Sequence, residues 1–79
     1  MSPTVFREGP FRFFFFSLEE ARMHIHVHSA GGEAKFWIEP SVELSESHGF
    51  RKTDIARIEE LIRDHENDIR DAWNRHFGR

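Results

Sequence analysis

Met23 to Ser29 alternates without a break, with Met23, Ile25 and Val27 on one side of an extended chain and His24, His26 and His28 on the other. Only a strand half-buried on one side satisfies that pattern, because a helix would scatter the histidines around its circumference. Gly31-Gly32 follows, a two-residue hairpin signal of the primed type. Beyond it, Ala34, Phe36 and Ile38 share one parity, and Glu33, Lys35 and Trp37 the other. With Gly31 and Gly32 as the loop, Val27 faces Phe36 and Ile25 faces Ile38 on the apolar side. On the opposite side His24 faces Glu39, His26 faces Trp37 and His28 faces Lys35. A slip of one residue would carry the histidines into the core, so the alternation fixes which face is which.

The remaining segments extend this sheet. Thr4 to Glu8 is rich in strand formers and ends at Gly9-Pro10, a turn signal. Phe11 to Ser17 carries Phe on both parities from Phe13 to Phe16, which predicts a central strand covered on both faces. Leu18 to Arg22 loses the alternation and reads as a connection. Pro40 stops the fourth strand, and residues 40–52 read as irregular, with Val42 and Leu44 as anchors to the sheet. From Thr53, a suitable N-cap, to Phe77 the residues Ile55, Ile58, Ile62, Ile69, Trp73 and Phe77 form one helical stripe, and Gly78 ends it. The expectation is an α+β domain spanning residues 1–79. An antiparallel sheet of about four strands (4–8, 11–17, 23–29, 33–39) carries one long C-terminal helix, 53–77, on its apolar face.

Composition narrows the function classes. At 79 residues there is room for one core, and nine Phe with two Trp supply its bulk. The absence of Cys excludes disulfides, thiolate metal sites and cysteine nucleophiles. The longest apolar run, Phe13 to Phe16, is far short of the roughly twenty residues of a membrane span. The N-terminus lacks a basic segment followed by an apolar stretch. The sequence therefore predicts a soluble, cytoplasmic protein with no membrane association. Eleven Lys and Arg against fourteen Asp and Glu give a net charge of −3 with neutral histidines. That balance opposes binding through phosphates, so nucleic acid is expected only as an indirect or weak partner. Protonating all six histidines would reverse the sign of the net charge below about pH 6.5.

Three chemistries are open to the histidine face. Adjacent same-face side chains lie roughly 6.5–7 Å apart, so His24 and His26 can converge on one divalent transition metal completed by Glu39 or Glu33. His28 and His24, about 13 Å apart, cannot share it. Alternatively His24 or His26 can transfer protons near neutral pH, while Lys35 or Arg12 offsets the charge of a pentacoordinate phosphate, as in metal-free cleavage of RNA. The plainest reading is a solvated binding face of His24, His26, His28, Trp37 and Glu39, in which the imidazoles stack on the indole and pair with the carboxylate. Patterns for nucleotide hydrolysis, serine hydrolysis and zincin chemistry are absent. His65 and His76, about 16 Å apart along a helix, cannot share a metal and read as boundary residues.

Thr4 to Gly9, Arg12 to Ser17, His24-Ile25-His26-Val27, Gly32 to Trp37, Gly49-Phe50, Ala72-Trp73 and Phe77 together resemble domain-of-unknown-function family 4160 over nearly the whole chain. The resemblance implies a small bacterial or archaeal protein encoded beside a second small protein, the two forming a proposed toxin–antitoxin-like module. Where the family often carries Pro-Pro before its His-x-His, this chain has Arg22-Met23. The functional expectation is a non-enzymatic domain of antitoxin or inhibitor type that binds a protein partner encoded nearby and needs no cofactor. A homodimer is compatible with it. The alternative is a small ribonuclease-type toxin centred on His24 and His26, with or without the metal.

Overall fold

The computed structural model describes residues 3–16 and 21–78. Five strands precede two helices: β1 (Thr4–Glu8), β2 (Phe11–Phe14), β3 (His24–Ser29), β4 (Gly32–Trp37), β5 (Glu43–His48), α1 (Lys52–Asp64) and α2 (Glu66–Phe77). The strands form one antiparallel meander in the order β1-β2-β3-β4-β5. Both helices contribute to a core on one side of the sheet, where Phe13, Ile25, Val27, Phe36 and Ile38 meet Ile58, Ile62, Ile69 and Trp73. The class is the expected α+β, with one more strand and one more helix. Neither helix is long and apolar enough to cross a membrane.

The alternation of β3 and β4 holds, but the hairpin register moves by two residues. Cα partners are Ile25↔Phe36, Val27↔Ala34, His24↔Trp37, His26↔Lys35, His28↔Glu33 and Ser29↔Gly32. The loop is therefore Ala30-Gly31, and the pairs His24–Glu39, His26–Trp37 and His28–Lys35 do not form. An even shift leaves every side chain on its expected face, so the hydrophobic pattern cannot detect it. Neither loop residue has a positive φ, so the turn is not of the primed type. Gly32 is needed for a different reason. A Cβ there would lie 2.7 Å from the His48 carbonyl oxygen and 2.9 Å from the Phe50 ring. Gly49 is tighter still, with φ +85° and its hypothetical Cβ 2.3 Å from the Gly31 carbonyl oxygen. The β3–β4 loop and the exit of β5 lock backbone against backbone at these glycines.

The segment expected to be irregular contains β5, an edge strand paired with β4 through Glu33↔His48, Lys35↔Glu46, Phe36↔Leu44 and Trp37↔Glu43. Its sequence hides it: all six residues are polar except Leu44, and the register shifts between Lys35 and Phe36. That bulge leaves Ser45 without a partner. It also places Glu43 and Glu46, three apart in sequence, on the same face of the sheet. Val42, just before the strand, is buried as the anchor expected of it.

β2 is an interior strand flanked by β1 and β3, with Phe13 in the core beneath the helices and Phe14 buried on the other face only by neighbouring side chains, and it ends at Phe14. The Phe15 amide instead donates to the Pro3 carbonyl at 3.0 Å. Ser17, which the sequence placed in this strand, lies outside the described residues, as does most of the 18–22 connection. The single long helix is two. His65, at φ −108° and ψ 17°, interrupts the run between α1 and α2. Its flanks are the reason: Asp64 to Asp68 has no apolar residue to hold a turn against the sheet, and Asn and Asp are poor helix formers. The His65 ring stacks instead on Phe6 of β1, centroids 4.1 Å apart. The N-cap of α1 is Arg51, not Thr53, and the Arg51 amide donates to the Asp54 carboxylate at 3.1 Å.

Arg70 ties α2 to the sheet, donating to Glu39 Oε2 at 2.7 Å and to Glu66 Oε2 at 2.9 Å. The Glu66 hydrogen bond, then that of Glu39 and the attraction of both carboxylates, outweigh desolvation and raise the guanidinium pKa above its ordinary value. A folded value raised in this way stabilises the fold wherever arginine is charged in the unfolded chain. The contribution is lost only as pH rises through the raised value, so it is constant around neutrality.

Candidate outer-face binding site

Helices cover one side of the sheet, and the side chains of opposite parity build the other. Register places them in rows across the strands. One row runs Arg12–His28–Glu33–His48, and the next Phe14–His26–Lys35–Glu46. The third runs His24–Trp37–Glu43. Aromatic contacts link the rows. His26 lies 5.6 Å from Phe14, 4.4 Å from Phe16 and 5.1 Å from His24, measured between ring centroids. His24 in turn lies 5.6 Å from Trp37. Phe16 is 45% exposed, the largest exposure of any bulky apolar side chain described.

Cations sit on this aromatic band. The Arg12 guanidinium lies 4.5 Å from the Phe14 centroid, while its Nε donates to Thr4 Oγ1 at 2.7 Å. Trp37 receives two: Arg22 at 4.0 Å and the Lys35 ammonium at 4.4 Å. Arg22 also approaches Glu43 Oε1 at 3.8 Å and donates to the Glu39 carbonyl at 2.8 Å.

The residues singled out by sequence divide sharply. His24 is fully buried, not solvated. Its Nδ1 donates to the Arg22 carbonyl at 2.6 Å, and Trp73 of α2 packs against its ring at 5.3 Å. A ring enclosed in this way cannot reach a substrate from where it stands. His26, Lys35 and Trp37 are half-buried on the outer face, and His28 is exposed there. Glu39 does not join them: its carboxylate is bound to Arg70 on the helix side. His24, His26 and Glu39 therefore do not converge. Among the described residues no group of three or more His, Asp or Glu stands close enough to hold a metal ion.

The sequence reading missed the contribution of β5. A groove of about 310 Å³ opens on the outer face between the rings of Phe14, Phe16 and His26 and the side chains of Glu33, Glu46 and His48, with Lys35 along it. Its size lies at the lower end of the range for small-ligand sites. The signal that could have revealed it was Val42 and Leu44, apolar residues two apart at the start of a stretch otherwise read as loop. A second groove of similar size, between β1 and α2, is lined by Asp68, Asp71, Arg75 and His76 together with Phe6 and Phe15.

No curated protein and no solved structure matches this chain. A family pattern does, over residues 11–74, from the first residue of β2 to the residue after Trp73 in α2. The stretch contains every row of the outer face and all but the last turn of the second helix. The chain belongs to that family, described as a domain of unknown function (DUF4160).

Proposed function

We propose that this protein is a non-enzymatic binding module of antitoxin or inhibitor type. It would be one component of a two-gene toxin–antitoxin-like system in a bacterial cytoplasm, and its outer sheet face docks a protein partner. The observation that carries the reading is the aromatic band from Phe16 through His26 to Trp37, exposed at Phe16, half-buried at His26 and Trp37, closed over by Trp73 only at His24, and dressed with cations. Such a surface supplies apolar area and charge-assisted hydrogen bonds together, the combination found in interface hot spots. The acidic net charge suits a basic partner, such as a protein that handles nucleic acid.

Co-expression with the product of the neighbouring gene tests this. The wild-type chain should retain that product through purification, and the double variant Phe16→Ser/Trp37→Ala should release it while melting within a few degrees of wild type. Asn74→Ala, on the helix side, should retain it. Retention by the double variant, or absence of any complex, contradicts the proposal. Growth arrest on expressing the chain alone, relieved by His26→Ala, would assign the ribonuclease-type reading instead.

A further inference from the structure

Trp37 and Glu43 show how this face treats a guanidinium. The Arg22 group lies 4.0 Å from the indole centroid and 3.8 Å from a carboxylate oxygen supplied by β5. One row away the same parts recur in the groove: aromatic walls of Phe14, Phe16 and His26, and carboxylates of Glu33 and, again from β5, Glu46. Among the described residues no arginine lines this groove, the Arg12 guanidinium standing 4.5 Å from the centroid of the Phe14 wall. Lys35 also lines the groove, and its ammonium stands 4.4 Å from the Trp37 centroid. We propose that the groove receives the side chain of an arginine presented by a protein partner. The inference rests on the outer face being the docking surface.

The chemistry selects this ligand over others. A guanidinium is flat, so it can lie against a ring while its N–H groups reach a carboxylate in parallel, an arrangement that a compact ammonium cannot reproduce. A phosphate would meet Glu33 and Glu46 as like charges. A neutral apolar side chain would gain nothing from the exposed carboxylates, of which Glu46 approaches His48 Nε2 at 3.8 Å. The net charge of −3 attracts a basic segment from a distance, before any contact forms.

The test uses the full chain labelled with ¹⁵N and titrated with N-acetylarginine methylamide. N-acetyllysine methylamide and uridine 5′-monophosphate serve as competing chemistries. Saturable shifts at Phe16, His26, Glu46 and His48 are expected with the arginine compound, with affinity about fivefold or more above the lysine compound. In Glu33→Gln/Glu46→Gln, whose spectrum should otherwise overlay the wild type, the affinity should fall about tenfold. Absence of shifts in the folded protein, undiminished arginine affinity in the Gln variant, or nucleotide shifts at the groove without arginine shifts would each overturn the inference. The partner complex separates the two levels. If it resists Glu33→Gln/Glu46→Gln but is lost with Phe16→Ser/Trp37→Ala, the docking face stands and the arginine site falls. If it resists both pairs, both fall.

Discussion

His24 and His28 belong to one strand and one parity, yet do opposite work. His24 is enclosed by Trp37, His26 and Trp73 with its Nδ1 hydrogen-bonded, so its imidazole is a packing element. Truncation to alanine leaves a cavity and an unpaired carbonyl. The expected loss for His24→Ala is about 2–4 kcal/mol in denaturant unfolding, whereas His28→Ala at the exposed end of the strand should leave the midpoint unchanged. Equal midpoints for the two variants would contradict the assignment of His24 to the core. The sequence could not separate them. Period-two alternation assigns a face, but whether a residue from a distant helix closes over that face depends on tertiary packing, and Trp73 is 49 residues away from His24.

At the scale of elements, alternation found β3 and β4 and helical spacing the apolar stripe because each of those segments buries a regular face, while strand-forming residues and the Gly9-Pro10 turn marked β1 and β2. β5 escaped because its bulge breaks the period and its exposure removes the apolar signal. The helix break escaped because charge at His65 and its neighbours is compatible with a continuous wet face, and only the stacking on Phe6 distinguishes a kink. The glycines are a subtler case. Gly31-Gly32 was legible as a special backbone position, but the demand comes from the contact with His48 and Phe50 and from Gly49 against Gly31, not from the turn. Gly49→Ala should therefore destabilise the fold by about 2–4 kcal/mol, through a left-handed backbone and a clash with main-chain atoms that cannot swing aside. Thermal melting checks this, and a variant as stable as wild type would show that the β5 exit does not lock against the hairpin.

For the whole molecule, a five-strand meander with helices on one side leaves one broad face that no helix or strand of the described residues covers. The rows on that face are where residue choice departs from simple solvation: rings stand in contact, and three cations lie over two of them. The sequence announced half of this surface through the His-x-His-x-His strand and Trp37. The other half, Glu43, Glu46 and His48, became visible only when β5 joined the sheet. The central claim is that this face, rather than the charged outer sides of α1 and α2, meets the partner. Amide hydrogen exchange of the chain, alone and in complex with the product of the neighbouring gene, tests it most directly. Added protection should fall on residues 24–28, 33–37 and 43–48, with the helix amides unchanged; protection confined to residues 52–64 and 66–77 would contradict the account.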